Sequence, residues 1–305
     1  MGWAYLNFLT IRVLRCLAMT GINPDLGGSR RRLLAGGMSW VFGGCSSAPV
    51  RVAQEAPLRE LPLLLSDYGL VFTRITVQGR PVLALVDTGS AAGLRLSERI
   101  ARELEIELHR VPGTAVRGLD GQVLEVQRGR LASLELGDMA LGPIDFEVTG
   151  TRIETIARQV KTPFDAVLGW GFLARSDLEL DYPKRTLRLG QDLSSARAFA
   201  TISLPYADTK GVPLVQGLVG GQPVRLLVDT GAPMCNLDAE LAREAKGEVV
   251  ERTLSIGSWS GMVRWRVKDL AVTRQAKGST ATLGNNFLSR HVVDFRVLEQ
   301  TLLLR

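Results

Sequence analysis

Histidine and cysteine are nearly missing from this 305-residue sequence, which has two of the first and three of the second. With only His109 and His291, a His-dependent catalytic triad or a His-rich metal site lacks its residues. Cys16, Cys45 and Cys235 form no CxxC motif or Cys/His cluster, so neither bound zinc nor an internal disulfide framework is expected. Aromatic residues make up only 6%. No run of about 18 uncharged apolar residues occurs, which excludes a membrane-spanning helix within the folded part. The net charge of +6 is concentrated at the N-terminus, where residues 1–45 hold five arginines and one aspartate, leaving 32 basic and 30 acidic side chains elsewhere. A nucleic-acid partner is therefore not expected. Glycine is abundant at 32 residues, and a hydrophobic content of 46% is that of a globular chain. The length allows one large domain or two smaller ones.

The first 45 residues read as an export signal. Ser29-Arg30-Arg31-Arg32-Leu33-Leu34 is a twin-arginine pattern, followed by an uncharged stretch to Gly44 and then Cys45 among small residues. This order is that of a bacterial signal ending in a lipobox, with Cys45 as the lipidation site. Phe42 stands where an aliphatic residue is usual. Residues 1–18 precede the arginines with a second apolar stretch, so translation is expected to start at Met19, the alternative being Met1 with a short membrane-associating helix. The expected location is periplasmic or membrane-anchored through Cys45, with membrane contact only through that lipid.

The rest of the chain contains a repeat. Gly69–Gly89 (GLVFTRITVQGRPVLALVDTG) and Gly211–Gly231 (GVPLVQGLVGGQPVRLLVDTG) are identical at ten of 21 positions, at a constant offset of 142 residues. Each copy is followed by a capped helical segment, beginning at Ser97 and at Asp238. A closing block, Leu168-Gly169-Trp170-Gly171-Phe172-Leu173, matches Leu283-Gly284-Asn285-Asn286-Phe287-Leu288 at an offset of 115, so the second copy lacks 27 residues between its blocks.

Short β-rich runs separated by Gly, Pro or Asp-Gly turns fill both copies: Val71–Val77, Val82–Val86, Val123–Gln127, Leu131–Leu136, Phe146–Val148, Leu178–Leu180 and Leu187–Leu189, then Val249–Ile256 and Met262–Val267. Asp120-Gly121 marks a hairpin. The expected organisation is an export signal over 1–45, a tether over 46–60, an N-terminal β lobe over 61–193 and a C-terminal β lobe over 194–305. The segment Gln191–Arg197 serves as linker.

A single Asp-Thr-Gly is expected about 0.1 times by chance from the content of Asp, Thr and Gly. Two copies, each ending a hydrophobic strand and each followed by a helix and an apolar-Leu-Gly block, are a different matter. With Leu85-Val86-Asp87-Thr88-Gly89-Ser90, Leu227-Val228-Asp229-Thr230-Gly231-Ala232, Val167-Leu168-Gly169 and Thr282-Leu283-Gly284, residues 65–305 resemble the aspartic proteases, in particular retropepsin-like bacterial members with two fused lobes. Thr282 is a mild departure from the apolar residue usual there. The resemblance implies an all-β, bilobal pepsin/retropepsin-like fold with one short helix after each Asp-Thr-Gly loop. It implies Asp87 and Asp229 as catalytic residues on the floor of a cleft, supported by Thr88, Gly89, Ser90, Thr230 and Gly231.

The chemistry gives independent reasons for these residue types. Peptide hydrolysis without metal or covalent nucleophile needs one group to deprotonate water and another to protonate the carbonyl oxygen. Two adjacent carboxylates sharing one proton do both. The glycines allow close backbone approach. The resemblance implies that the threonine hydroxyls bond across the two loops, and that Ser90 offers a hydroxyl to Asp87 where Ala232 offers none to Asp229. Asp87 is thus expected to carry the charge and Asp229 the proton. Residues 114–127 stand where the family has its flap, so Gly118, Leu119, Asp120 and Gly121 are expected over the substrate, without the tyrosine common in pepsin flaps. Trp259, in the Gly257–Gly261 turn, is expected at the analogous tip of the second copy. Trp170 is expected in the core, Cys235 as a buried inert thiol, and both histidines at the surface.

The reading is an aspartic endopeptidase acting on a peptide or protein, most active at mildly acidic pH. It needs no metal or organic cofactor, and one chain suffices to assemble the dyad. The alternative is a noncatalytic peptide-binding exported protein on the same fold. A two-carboxylate glycosidase is the weakest reading, since nothing beyond the carboxylate pair supports it.

Overall fold

The structure, a computed structural model, describes residues 59–117, 123–150, 152–190, 193, 202–209, 211–271, 273–274 and 278–305. The export signal with Cys45, nearly all of the tether, most of the linker and the flap residues Gly118, Leu119, Asp120 and Gly121 lie outside the described residues. The end of the expected tether is in a strand, since pairing begins at Arg59.

The first half comprises β1 (Arg59–Pro62), β2 (Leu64–Leu65), β3 (Val71–Val77), β4 (Arg80–Asp87), β5 (Leu94–Leu96), α1 (Glu98–Glu103), β6 (His109–Arg117), β7 (Val123–Leu131), β8 (Leu134–Leu136), β9 (Met139–Leu141), β10 (Ile144–Val148), α2 (Arg152–Gln159), β11 (Ala166–Gly169), α3 (Trp170–Leu173), β12 (Asp177–Asp181) and β13 (Thr186–Gly190). The second half is shorter. It comprises β14 (Ile202–Thr209), β15 (Val212–Val219), β16 (Gln222–Val228), β17 (Cys235–Asp238), α4 (Ala239–Ala242), β18 (Val249–Ile256), β19 (Trp259–Lys268), β20 (Ala281–Leu283), α5 (Asn285–Leu288), β21 (Val292–Arg296) and β22 (Thr301–Leu304). The chain is mostly β with a few short helices, in line with the all-β expectation.

Two sheets hold these strands. One has ten strands, all from the first half; the other has twelve and takes β1, β12 and β13 of the first half alongside the strands of the second. The halves are joined at β12 and β21, which pair antiparallel from Leu178 opposite Phe295 to Asp181 opposite Val292. Alternation of buried and open positions in β3 and β10 fits sheets with one face on the core.

In each half the strand leading to Asp-Thr-Gly is central. β4 pairs antiparallel with β3 and parallel with β11, Asp87 standing opposite Gly169. β16 pairs antiparallel with β15 and parallel with β20, Val228 standing opposite Leu283. The two helices after these loops start at their expected caps. Ser97 Oγ accepts the Ile100 amide at 3.1 Å, and Asp238 Oδ1 accepts the Glu240 amide at 3.2 Å.

The register corrects one sequence expectation. Val77 pairs with Leu134 of β8 in the first half, and Val219 pairs with Leu254 of β18 in the second. Leu136 pairs with Met139 across the next turn, and Ile256 pairs with Trp259. The repeat offset at these positions is 120 residues, down from 142 at the Asp-Thr-Gly loops. The Trp259 hairpin is therefore the counterpart of β8–β9, not of the flap hairpin β6–β7. The second half passes from α4 directly to β18, so the material trimmed from it is mainly the counterpart of the hairpin β6–β7, the expected flap. Trp259 packs instead on the core, with its ring 5.2 Å from that of the buried Phe287.

Helix α2 has no counterpart among the sequence expectations. It covers an apolar layer on the ten-stranded sheet, placing Ile153 and Ile156 against Phe72, Leu85 and Val167. Trp170 and Cys235 are buried in the main core. His109 is exposed; His291 is partly buried, with its ring 4.9 Å from Phe287.

Candidate active site

Two loops of like construction meet at the junction of the halves. Each turns by the same backbone bond, from the Ser90 amide to the Asp87 carbonyl and from the Ala232 amide to the Asp229 carbonyl, both 3.2 Å. Behind each loop lies its closing block. The Trp170 amide donates to the Ser90 carbonyl at 2.7 Å, and the Asn285 amide donates to the Ala232 carbonyl at 2.8 Å. Gly169 and Gly284 have room for no side chain, since a Cβ would strike the Ala92 carbonyl in one case and the Met234 backbone in the other.

Across the junction the threonines exchange four bonds. Thr88 Oγ1 donates to the Val228 carbonyl and Thr230 Oγ1 to the Val86 carbonyl, both at 2.7 Å. Each hydroxyl oxygen also accepts the other threonine's amide at 3.1 Å. All four groups are buried, so the bonds have no competition from solvent.

This exchange brings each glycine against the other loop's aspartate. A Cβ on Gly231 would lie 2.6 Å from Cγ of Asp87, and one on Gly89 would collide with the Asp229 carboxyl. The Gly231 amide donates to Asp229 Oδ1 at 2.9 Å. Asp87 and Asp229 are both buried, at 0% and 2% exposure. Such a pair is poorly able to hold two negative charges, which favours one shared proton.

Residues 73–175 match the family model described as gag-polyprotein putative aspartyl protease. Over this segment the match supports a retropepsin-like aspartic protease family. The match includes Asp87, Thr88 and Gly89 and ends just after the Leu168-Gly169 block. The second half supplies the other loop by the internal repeat.

The surroundings of the two aspartates differ. Ser90 Oγ accepts the Ala92 amide at 3.4 Å. On the Asp229 side, Tyr182 Oη donates to Asn285 Oδ1 at 2.7 Å, and Asn285 Nδ2 donates to the Thr230 carbonyl at 2.7 Å. Tyr182 belongs to the first half, so this relay is a second tie between the halves at the loop. Burial, and then the charge of Asp229, push the Tyr182 phenol well above its ordinary value, keeping it a neutral donor. Burial and the neighbouring Arg266 pull the Lys268 ammonium down to about 8, while Asp229 opposes the shift. Arg95 is buried on the side of Asp87.

The sequence reading missed Tyr182, Asn285 and Arg95. Asn285 stands at the repeat position of Trp170, so the swap of an apolar for an amide side chain in the closing block was a signal. Arg95 in Leu94-Arg95-Leu96 was another, a lone cation inside an apolar strand. Tyr182 gave none, because only folding brings it to Asn285, 103 residues away. Strands β6 and β7, where the flap is expected, pair from His109 opposite Arg128 to Arg117 opposite Val123, with an irregularity between Arg110 and Ala115.

Proposed function

We propose that the protein is an aspartic endopeptidase in which Asp87 and Asp229 activate water against a peptide bond. The observation that carries the reading is the reciprocal packing of each loop's glycine on the other loop's carboxyl. That packing needs both complete Asp-Thr-Gly loops in one chain, so a single copy suffices for the dyad. The ionised carboxylate takes a proton from water as the water oxygen attacks the peptide carbon, and the protonated carboxyl gives its proton to the carbonyl oxygen. Collapse of the resulting gem-diol breaks the C–N bond, with the nitrogen leaving as an amine after taking up a proton. Ser90, beside Asp87, and the hairpin β6–β7, which ends near Gly118–Gly121, are proposed to support the charge and to close over substrate. No metal or organic cofactor enters this scheme.

The test is cleavage of a diverse peptide mixture by the full-length chain from pH 4 to 8, read by mass spectrometry beside Asp87→Asn and Asp229→Asn. The expected result is cleavage that favours the acidic end and disappears in both variants. A folded wild-type protein that binds peptides but cuts none would replace this reading with a peptide-binding role.

Export through the twin-arginine signal, lipidation at Cys45 and a start at Met19 are proposed from the sequence alone. No helix among the described residues is long and apolar enough to cross a membrane. Intact mass of the mature protein from the membrane fraction, with and without Cys45→Ala, tests export and lipidation, the expected product beginning at an acylated Cys45; intact mass of the unprocessed precursor tests the start, expected at Met19.

A further inference from the structure

A cation is buried beside the dyad with too few partners for its charge. Arg95 lies in β5, the strand after the first Asp-Thr-Gly loop, and is 2% exposed. Its Nη2 is 3.5 Å from Oε2 of Glu147, whose other oxygen faces the Arg128 guanidinium at 3.4 Å. Nε and Nη1 of Arg95 are buried without a hydrogen-bond partner among the described residues. A share in one carboxylate is poor compensation for a buried guanidinium, and such a group is costly to keep.

The sheet register shows which other anion the charge faces. Arg95 stands opposite Val167 of β11, and Val167 stands opposite Leu85 of β4. Side chains alternate along a strand, so Asp87, two residues beyond Leu85, is on the same face as Arg95. Between them lie Gly169, opposite Asp87, and Gly93, whose carbonyl accepts the Gly169 amide at 2.9 Å. Neither has a side chain, and a Cβ on Gly93 would meet no atom within 4 Å. No side chain of this row therefore stands between the guanidinium and the carboxylate. Burial pulls Arg95 down to about 10, while Glu147 and Asp87 support its charge and Arg152 opposes it.

The matching position in the second half is neutral. Asn236 stands opposite Thr282 as Arg95 stands opposite Val167, and its Nδ2 donates to the Met234 carbonyl at 2.8 Å. Lys268, a cation whose charge Asp229 supports, is itself weakened by burial and by Arg266.

We propose that Arg95 is a positioning residue that holds Asp87 ionised, so that the proton of the dyad rests on Asp229. The proposal rests on the protease reading and gives Arg95 no contact with substrate; it acts through Asp87. A nearby opposite charge favours the ionised carboxylate. The charged groups facing Arg95 are Asp87 from β4, Glu147 from β10 and Arg152 at the start of α2, with Arg128 of β7 reached through Glu147.

The test is an NMR titration of the full-length protein carrying 13C at its Asp carboxyls, with the two signals identified by their loss in Asp87→Asn and Asp229→Asn. Asp87 is expected to titrate below Asp229, with its midpoint rising by about one pH unit or more in Arg95→Met. Arg95→Lys keeps the charge and is expected to keep the midpoint low. Glu147→Gln removes the competing anion and is expected to lower it, which provides a test should Arg95→Met not fold. The acidic limb of the cleavage profile is expected to move in the same directions. An Asp87 midpoint indifferent to both Arg95→Met and Glu147→Gln, or raised equally by Arg95→Lys, overturns the proposal. The titration needs no turnover, so a protein that cuts no peptide overturns only the protease reading.

Discussion

The hydroxyls of Thr88 and Thr230 cross between the halves of the chain, each donating to the carbonyl two residues before the other and accepting the other's amide. The two residues are separated by 142 positions, the same offset that aligns the repeats. The arrangement is a local two-fold symmetry written twice into one sequence, and it sets the spacing of the two aspartates.

Removing either hydroxyl leaves a buried amide and a buried carbonyl without partners, at about 1–3 kcal/mol for each orphaned group. Thr88→Val and Thr230→Val are therefore expected to lower the thermal midpoint by several degrees, whereas the serine variants retain most of it. The double valine variant should lose less than the sum, because both changes break one network. Equal stability of the valine and serine variants, measured by denaturant unfolding, would show that the hydroxyls contribute nothing.

Gly231→Ala places a methyl group against the Asp87 carboxyl, and Gly89→Ala places one against that of Asp229. Either is expected to push the dyad apart and reduce peptide cleavage by about 100-fold or more, since small displacements of reacting groups carry large rate penalties. Far-ultraviolet circular dichroism should remain that of a β protein. Near-wild-type turnover in either variant would mean that the loops do not meet as described.

Cys235 is fully buried, and its sulfur accepts the Gly284 amide at 3.3 Å. Burial pushes the thiol up to about 12, with the Gly284 amide opposing the shift. Thiol reagents act on the thiolate, so native protein lacking Cys16 and Cys45 is expected to resist labelling at pH 8 and to take up one label after unfolding. Fast labelling of the native form would contradict this placement.

Asp294 is buried in the sheet that joins the halves, 2.9 Å from Arg296 Nη2. Burial raises its carboxyl to about 6, against the opposing pull of Arg296. A carboxyl raised on folding binds its proton more tightly in the folded state, so its contribution weakens stability as pH rises from about 4 to about 6. Asp294→Asn removes that dependence. Relative to wild type, the variant is expected to gain stability between pH 4.5 and pH 7, by at most about 1.4 kcal/mol per pH unit. Urea midpoints for both proteins at several pH values check the direction; a constant difference would contradict it.

Much of the fold could be read from periodicity and turns. Strands Val71–Val77 and Val249–Ile256 have the bounds that their apolar alternation predicts, and α1 and α4 begin at the caps that Ser97 and Asp238 predict. Helix α2 was overlooked because its buried apolar residues, Ile153 and Ile156, stand in a polar stretch between two strand-rich regions. The expected run Leu131–Leu136 is broken after Leu131, where the Ala132 amide turns to Gln78 Oε1 at 2.9 Å. That partner is far away in sequence, so no local pattern marks the break.

The sequence alone determined the duplicated Asp-Thr-Gly loops, the strands that end in them and the glycines beside them, because these are local demands of backbone conformation and burial. Tertiary structure decided what lies around the dyad. Strand pairing shows that the trimmed copy lacks a counterpart of the hairpin β6–β7 and that Trp259 belongs to the counterpart of β8–β9. It also sets Arg95 on the face of Asp87, and it carries Tyr182 of the first half to Asn285 of the second. Electrostatic and hydrogen-bonding partners are chosen by register and by the packing of distant strands, which spacing along the chain does not encode.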